Sequence, residues 1–385
     1  MLGNRKLILD TFCEVYDLLR PWMDGDFYDF SQLTIEPGAI YMVGRAQFNL
    51  NVQKVCDIVD SKQAIVVISN PAEGSETLKH HMQRAGVDKY AQDGRLLLLG
   101  GGEMESEYQY LQYDSFLPKV YDYPENLIEC QRTPEIYTRL DKPYKFLFLN
   151  GRARPHRKFL IQSFSQLGML DQAVWTNLDL HTGSTQEITM IHQGKDLIAE
   201  TIPIKLLDSK YEVSRYHRNL TRGLPEKFVK NSLFDIGTGQ PEWGEIYLKA
   251  DLYIDTYFSV VTETIFTYPY SFRTEKIWKP IAIGHPWIAV ANAGFYRDIK
   301  NLGFRTFDKL IDESFDDISN NLDRLHRVKD VIIDLYNSDL PSFMLAAQEI
   351  CEYNQQHLQD MRVKIRAEFP ERYRKFMIAQ GIINE

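Results

Sequence analysis

Cysteine is scarce in this chain of 385 residues. Cys13, Cys56, Cys130 and Cys351 lie far apart, and none forms a Cys-x-x-Cys pair. That excludes a disulfide scaffold and a zinc ribbon, and it fits a reducing compartment. Long apolar runs are missing as well, since none approaches the ~20 residues that a membrane-spanning helix needs. Positive charge is short: 53 acids face 44 bases, for a net charge of −9. Without a basic stripe, a grip on nucleic acid through its phosphates is not expected. The nine histidines show no metal-ligand spacing. There is no internal repeat and no low-complexity tract. The opening stretch, MLGNRKLILDTFCEVYDLL, mixes acids into a helical period and reads as an amphipathic helix rather than an export signal. A cytoplasmic location is the expectation.

The chain is long enough for two domains of ordinary size. Three short apolar runs punctuate the first third, at residues 39–43 (AIYMV), 64–68 (AIVVI) and 95–99 (RLLLL), each followed by turn-forming residues. Stretches of helical period, 48–59 and 73–85, separate them. Unalternating strands spaced by helices predict a parallel sheet covered on both faces. Residues 124–142 turn polar and carry prolines, which suggests a linker. Strand-like runs resume at 144–149, 173–176, 251–255 and 286–290, with a poorly patterned excursion over 181–244. From 316 onward the chain reads mostly as helix. The expected fold class is therefore α/β, with an N-terminal α/β domain over 1–135, a second over 144–340, and a helical tail over 341–385. Two such domains would leave a cleft between them. In the tail, Phe343, Met344, Ala347, Ile350 and Tyr353 make one apolar face that needs a partner, and the N-terminal domain is the expected one.

Three polar segments follow strands of the second domain, where open α/β sheets bind ligands. The first, NGRARPHRK at 150–158, sets Arg152, Arg154, Arg157 and Lys158 at the start of a helix. Free N–H groups and clustered cations there suit a phosphate. The second is Thr274-Glu275-Lys276. Thr274 suits a helix N-cap, and Lys276 opposes the helix dipole unless an anion sits beside it. Glu275 has the chemistry to accept hydrogen bonds from a ribose diol. The third is Glu263, within SVVTET, as a sugar-hydroxyl acceptor or a cap. In the first domain, Glu73 and Glu103 follow strands and are candidates for a general base, with Arg45 as a neighbouring cation. Gly100 to Gly102 lack the spacing of a dinucleotide fingerprint, so no nicotinamide site is expected. His285 reads as a satisfied turn histidine.

The segments VTET (261–264) and TEKIWKPIAIGHPWI (274–288) resemble the donor-site signature of two-domain, GT-B-fold glycosyltransferases. The likeness is greatest to the fucosyltransferase and exostosin-like families. FLFLNGRARPHRKFLIQSF resembles the start of their C-terminal domain, and GFRTFDKLIDESFDDI (303–318) resembles a segment of related bacterial and phage proteins. The resemblance spans residues 144–340. It implies two Rossmann-like domains facing a cleft and transfer of a sugar from a nucleotide-diphosphate sugar to an acceptor hydroxyl. It implies that Glu275 binds the donor ribose, that Lys276 binds its phosphates, and that Arg157 holds the diphosphate, with Arg152 and Arg154 as alternatives. The base, Glu73 or Glu103, finds no counterpart in it. No Asp-x-Asp pair follows a strand, so neither cofactor nor metal is expected. The nucleotide sugar is a substrate, and the acceptor is a glycan, a protein or a small molecule. A non-catalytic nucleotide-sugar or glycan-binding protein, or a nucleotide-sugar epimerase of the same fold, are the alternatives.

Overall fold

A computed structural model describes residues 5–10, 15–22, 29–32, 34–150, 154–177 and 248–384. It is an α/β protein with two parallel sheets. The chain divides into two compact units, one of Met1–Pro118 with Met361–Glu385 and the other of Lys119–Asp360.

The first unit holds five strands: β1 (Leu7–Leu9), β2 (Ile40–Gly44), β3 (Ile65–Gly74), β4 (Leu97–Gly101) and β5 (Tyr110–Gln112). They lie side by side in sequence order, all parallel. Of the opening stretch, expected as a helix, Tyr16–Leu19 is helical, while Leu7–Leu9 instead supply β1. Its three consecutive apolar residues are all buried and pair with β2, so ladder formation outweighs the local helical period. Strands stepping one way across a sheet send right-handed crossovers to the same face. Accordingly α1 (Arg45–Leu50), α2 (Val52–Ser61) and α3 (Ser75–Ala85) cover one face. Phe48, Val55, Ile58, Leu78 and Met82 pack there on Tyr41, Val43, Val66, Ile68 and Leu98. The opposite face presents Leu9, Met42, Val67, Leu97 and Leu99, and it needs another cover. Val15 and Leu19 supply part of it, and Phe369, Tyr373 and Met377 supply the rest.

The second unit opens with α4 (Pro124–Cys130) and α5 (Thr133–Thr138), where a linker was expected. Prolines at the first helical turns start both helices rather than break them. The sheet comprises β6 (Phe146–Asn150), β7 (Ala173–Asn177), β8 (Phe258–Thr262) and β9 (Trp287–Val290), in the order β7-β6-β8-β9, all parallel. Helix α6 (Pro155–Gln166) follows β6. Residues 251–254 form helix, not strand, with Asp255 as its C-cap. They belong to α7 (Ala250–Ile254), which buries Leu252, Tyr253 and Ile254, and the true strand comes just after it. Five residues are too few for periodicity to separate the two states. The stretch 181–244 lies outside the described residues.

Helix α8 (Glu275–Ala282) joins β8 to β9, and α9 (Phe295–Asn301) and α10 (Asn321–Tyr336) follow. Gly284 closes the turn after α8 with φ of 67°, and a Cβ there would meet the Thr133 side chain at 2.8 Å. Only glycine suits both demands. The last helix, α11, runs Leu340–Ala379. Its early apolar residues, expected against the first domain, pack within the second unit. Met344 and Ala347 are buried, and the Phe343 ring lies 6.5 Å from Phe258 and 6.4 Å from Phe307.

Candidate functional site

The second sheet reverses its strand order at β6. The chain passes from β6 to β7 on one side and returns to β8 on the other, which makes the carboxyl ends of β6 and β8 the switch point. The ladder between these strands holds two residue pairs, Phe146 with Phe258 and Leu147 with Ser259, at its amino end. Side chains bridge the rest. The Thr262 hydroxyl donates to Asn150 Oδ1 at 2.8 Å. Arg157 Nη2 donates to the carbonyls of Thr262 at 2.9 Å and Glu263 at 3.3 Å, and His156 Nε2 donates to Glu263 O at 3.0 Å. The first turn of α6 is thus tied to the end of β8 by two side chains of the basic run. Buried carbonyls require such partners.

Glu263 is fully buried. Its carboxylate accepts from Thr264 N at 3.2 Å, Thr274 N at 3.1 Å and the Thr274 hydroxyl at 2.6 Å. It therefore closes the neck of the loop between β8 and α8. Thr274 is the N-cap of α8, and its hydroxyl accepts from Lys276 N at 3.3 Å. Lys276 Nζ meets Glu275 Oε1 at 2.5 Å, with 22% of the lysine side chain and 8% of the glutamate exposed. Burial raises the Glu263 carboxyl above its ordinary value, against the pull of Lys276 and Thr274. Burial also pushes Glu275 upward, but Lys276 and Lys279 outweigh it and hold that carboxyl low.

Six of the expected residues thus lie within the second unit: Arg154, Arg157, Glu263, Thr274, Glu275 and Lys276. Arg154 is the N-cap residue of α6 and, like Arg157, is largely buried. Arg152 lies outside the described residues. Glu73 and Glu103 belong to the first unit, at the carboxyl edge of its sheet. Glu73 faces Arg45 at 3.8 Å, and Glu103 is exposed while its carbonyl accepts from the Ser75 hydroxyl. Asn150, His156 and Thr262 were not foreseen. The one signal for Asn150 and Thr262 was a polar residue closing an apolar strand, and His156, in the first turn of α6, had none.

His285 is a satisfied structural histidine. Nε2 donates to Thr256 O at 2.9 Å, which leaves Nδ1 to accept from the Ser259 hydroxyl at 2.9 Å. Burial lowers its pKa to about 3, so the ring stays neutral. A cavity of about 330 Å³ lies at the other end of the sheet, lined by Lys142, Lys145, Tyr257 and Pro341 among others. Lys142 Nζ is held there by the carbonyls of Ile136 and Ile254. Among the described residues no group of three or more His, Cys, Asp or Glu side chains is arranged to hold a metal ion. None of their helices is long and apolar enough to cross a membrane. The described cysteines Cys56, Cys130 and Cys351 are free thiols. No family model, curated protein or solved structure matches this chain.

Proposed function

We propose that the protein is a glycosyltransferase that takes a sugar from a nucleotide-diphosphate sugar and passes it to an acceptor hydroxyl without a metal ion. The observation that carries this reading is the gathering of Arg154, Arg157, Glu263, Glu275 and Lys276 around the carboxyl ends of β6 and β8, at the strand-order reversal. Three cations and the opening turn of α6 suit a diphosphate. Glu275, now paired with Lys276, would exchange that partner for a ribose diol when Lys276 turns to phosphate. Negative charge grows on the leaving diphosphate as the glycosidic bond breaks, and fixed cations there lower the barrier. The reading implies a GT-B-like pair of Rossmann-like domains, with the acceptor on the side of the first unit. There Glu73 or Glu103 would take the acceptor proton.

Incubation with a panel of nucleotide sugars in EDTA, followed by assay of released nucleotide, tests this. Slow hydrolysis of one donor is the expected result. Binding without release would make the protein a nucleotide-sugar binder, and an isomerised donor would make it an epimerase. No binding at all would end the nucleotide reading.

A further inference from the structure

The carboxyl end of β3 interrupts its ladder with β4. Asn70 pairs with Gly100 and Gly74 with the next residue, Gly101, so Pro71, Ala72 and Glu73 bulge out of the sheet between them. The Ser115 hydroxyl holds the bulge by donating to Pro71 O at 2.9 Å. Gly74 therefore stands one ladder step beyond Asn70, and it is the N-cap of α3. It has no side chain with which to cap the first N–H groups of that helix. Along β3, Val66 and Ile68 pack on the face that α1, α2 and α3 cover, whereas Val67 packs on the other. By the period of two, Asn70 points to the helical face as well, at the level where α3 begins. It is 5% exposed, and its Nδ2 is a buried donor with no hydrogen-bond partner among the described residues. Such an atom calls for an acceptor that the chain itself does not supply. On the β2 side, Gly44 pairs with Ser69, which brings Arg45 level with Asn70. Arg45 Nη1 lies 3.8 Å from Glu73 Oε1, beyond hydrogen-bond reach, with 37% and 33% of the two side chains exposed. Burial lowers the pKa of His81, in the second turn of α3, and Arg45, His80 and Arg84 lower it further.

We propose that Asn70 Nδ2, Arg45 and the opening N–H groups of α3 form an oxyanion site in the first unit, for the phosphate of a phosphate ester or for a carboxylate. An oxyanion brings acceptors alone, which suits three kinds of donor and the positive end of a helix. Arg45 would exchange its loose contact with Glu73 for a charge-assisted hydrogen bond to the ligand. Glu73 in the bulge and Glu76 in the first turn of α3 are the acids that flank the site, so its affinity is modest. The site does not rest on the nucleotide reading, whose cations Arg154, Arg157 and Lys276 all lie in the second unit.

Histidine NMR on the full chain tests it, in sodium phosphate, sodium acetate and sodium chloride at matched ionic strength. An anion beside Arg45 should raise the His81 pKa above its value in chloride. A response to phosphate alone would make the ligand a phosphate ester, and a response to acetate would make it a carboxylate. Arg45→Gln should weaken the anion by about tenfold, the scale of one charge-assisted hydrogen bond. Asn70→Leu should also weaken it, yet melt no lower than the wild type in chloride, because it removes a buried donor that the fold leaves unsatisfied. A lower melting temperature would show that the amide serves the fold, and would overturn its part in the site. Lys276→Ala should leave the His81 response intact. Its loss there would assign the response to the second unit and overturn the site while leaving the nucleotide reading standing. A His81 pKa equal in all three salts overturns the site, as does a response that survives both Arg45→Gln and Asn70→Leu.

Discussion

Glu263 and Glu275 are both buried, yet their surroundings move them in opposite directions. A carboxyl raised by burial contributes stability below the unfolded-state pKa and loses it as the pH climbs through the folded value. A carboxyl held low by lysines contributes above the unfolded-state pKa and loses it as the pH falls through the folded value. Wild type should therefore lose ground to Glu263→Gln as the pH rises above about 4.3. Against Glu275→Gln it should gain ground as the pH rises toward about 4.3 from below. Melting temperatures of the three proteins across pH check this, and parallel curves would show that neither carboxyl is shifted. Lys276→Ala should weaken nucleoside diphosphate binding by about 1.5–3 kcal/mol, the range for hydrogen bonds to charged groups. Unchanged calorimetric affinity in a folded variant would remove Lys276 from the site. The Thr-Glu-Lys triplet was legible because a cation at a helix start is a conflict visible in three letters. Asn150, His156 and Arg324 were not, because they bind main-chain carbonyls or residues distant in sequence, and no local pattern announces those partners.

Helix α8 hangs on Thr274, whose hydroxyl donates to Glu263 and accepts from Lys276 N. Thr274→Ala removes a cap worth about 1 kcal/mol and strips a buried carboxylate of one donor, at a further cost of about 1–3 kcal/mol. Thr274→Ser should recover most of the loss, since it restores the hydroxyl. Denaturant titration of both variants decides, and equal stability of the alanine and serine forms would mean that the hydroxyl is idle. In the first unit, Phe369 packs on the sheet with its ring 4.6 Å from Tyr113. Phe369→Ala should cost about 3–5 kcal/mol, and an unchanged denaturation midpoint would show that the helix does not cover that face. Buried parallel strands were easy to read because they carry unbroken apolar runs. Residues 251–255 and 124–142 misled for a shared reason. Tertiary burial of Leu252, Tyr253, Asn126 and Ile136 decides those elements, and burial is invisible in a short window.

At the scale of the molecule, two α/β units with parallel sheets were expected from runs and spacing, and both sheets are present. The tail was expected on the first domain; what the pattern did not carry was which of its residues pack there, Phe369, Tyr373 and Met377 rather than Phe343 to Tyr353. Every described residue named for the donor lies in the second unit, so ligand binding should stabilise that unit by mass action. A nucleoside diphosphate at a hundredfold over its Kd should add about 2.7 kcal/mol to its unfolding free energy. Hydrogen exchange with and without nucleotide checks this, with protection expected in β6, β8 and α8. Protection confined to the first unit would reverse the assignment. The cover of the first sheet bears on synthesis as well. Leu9, Met42, Val67, Leu97 and Leu99 emerge from the ribosome long before Phe369, Tyr373 and Met377. The second unit, Lys119–Asp360, is made in between and can complete its contacts first. The first unit thus completes after the second, with one sheet face only partly covered, by Val15 and Leu19, for more than 240 residues of translation. During that interval a chaperone, or a neighbouring nascent chain, competes for the surface that the final helix will occupy.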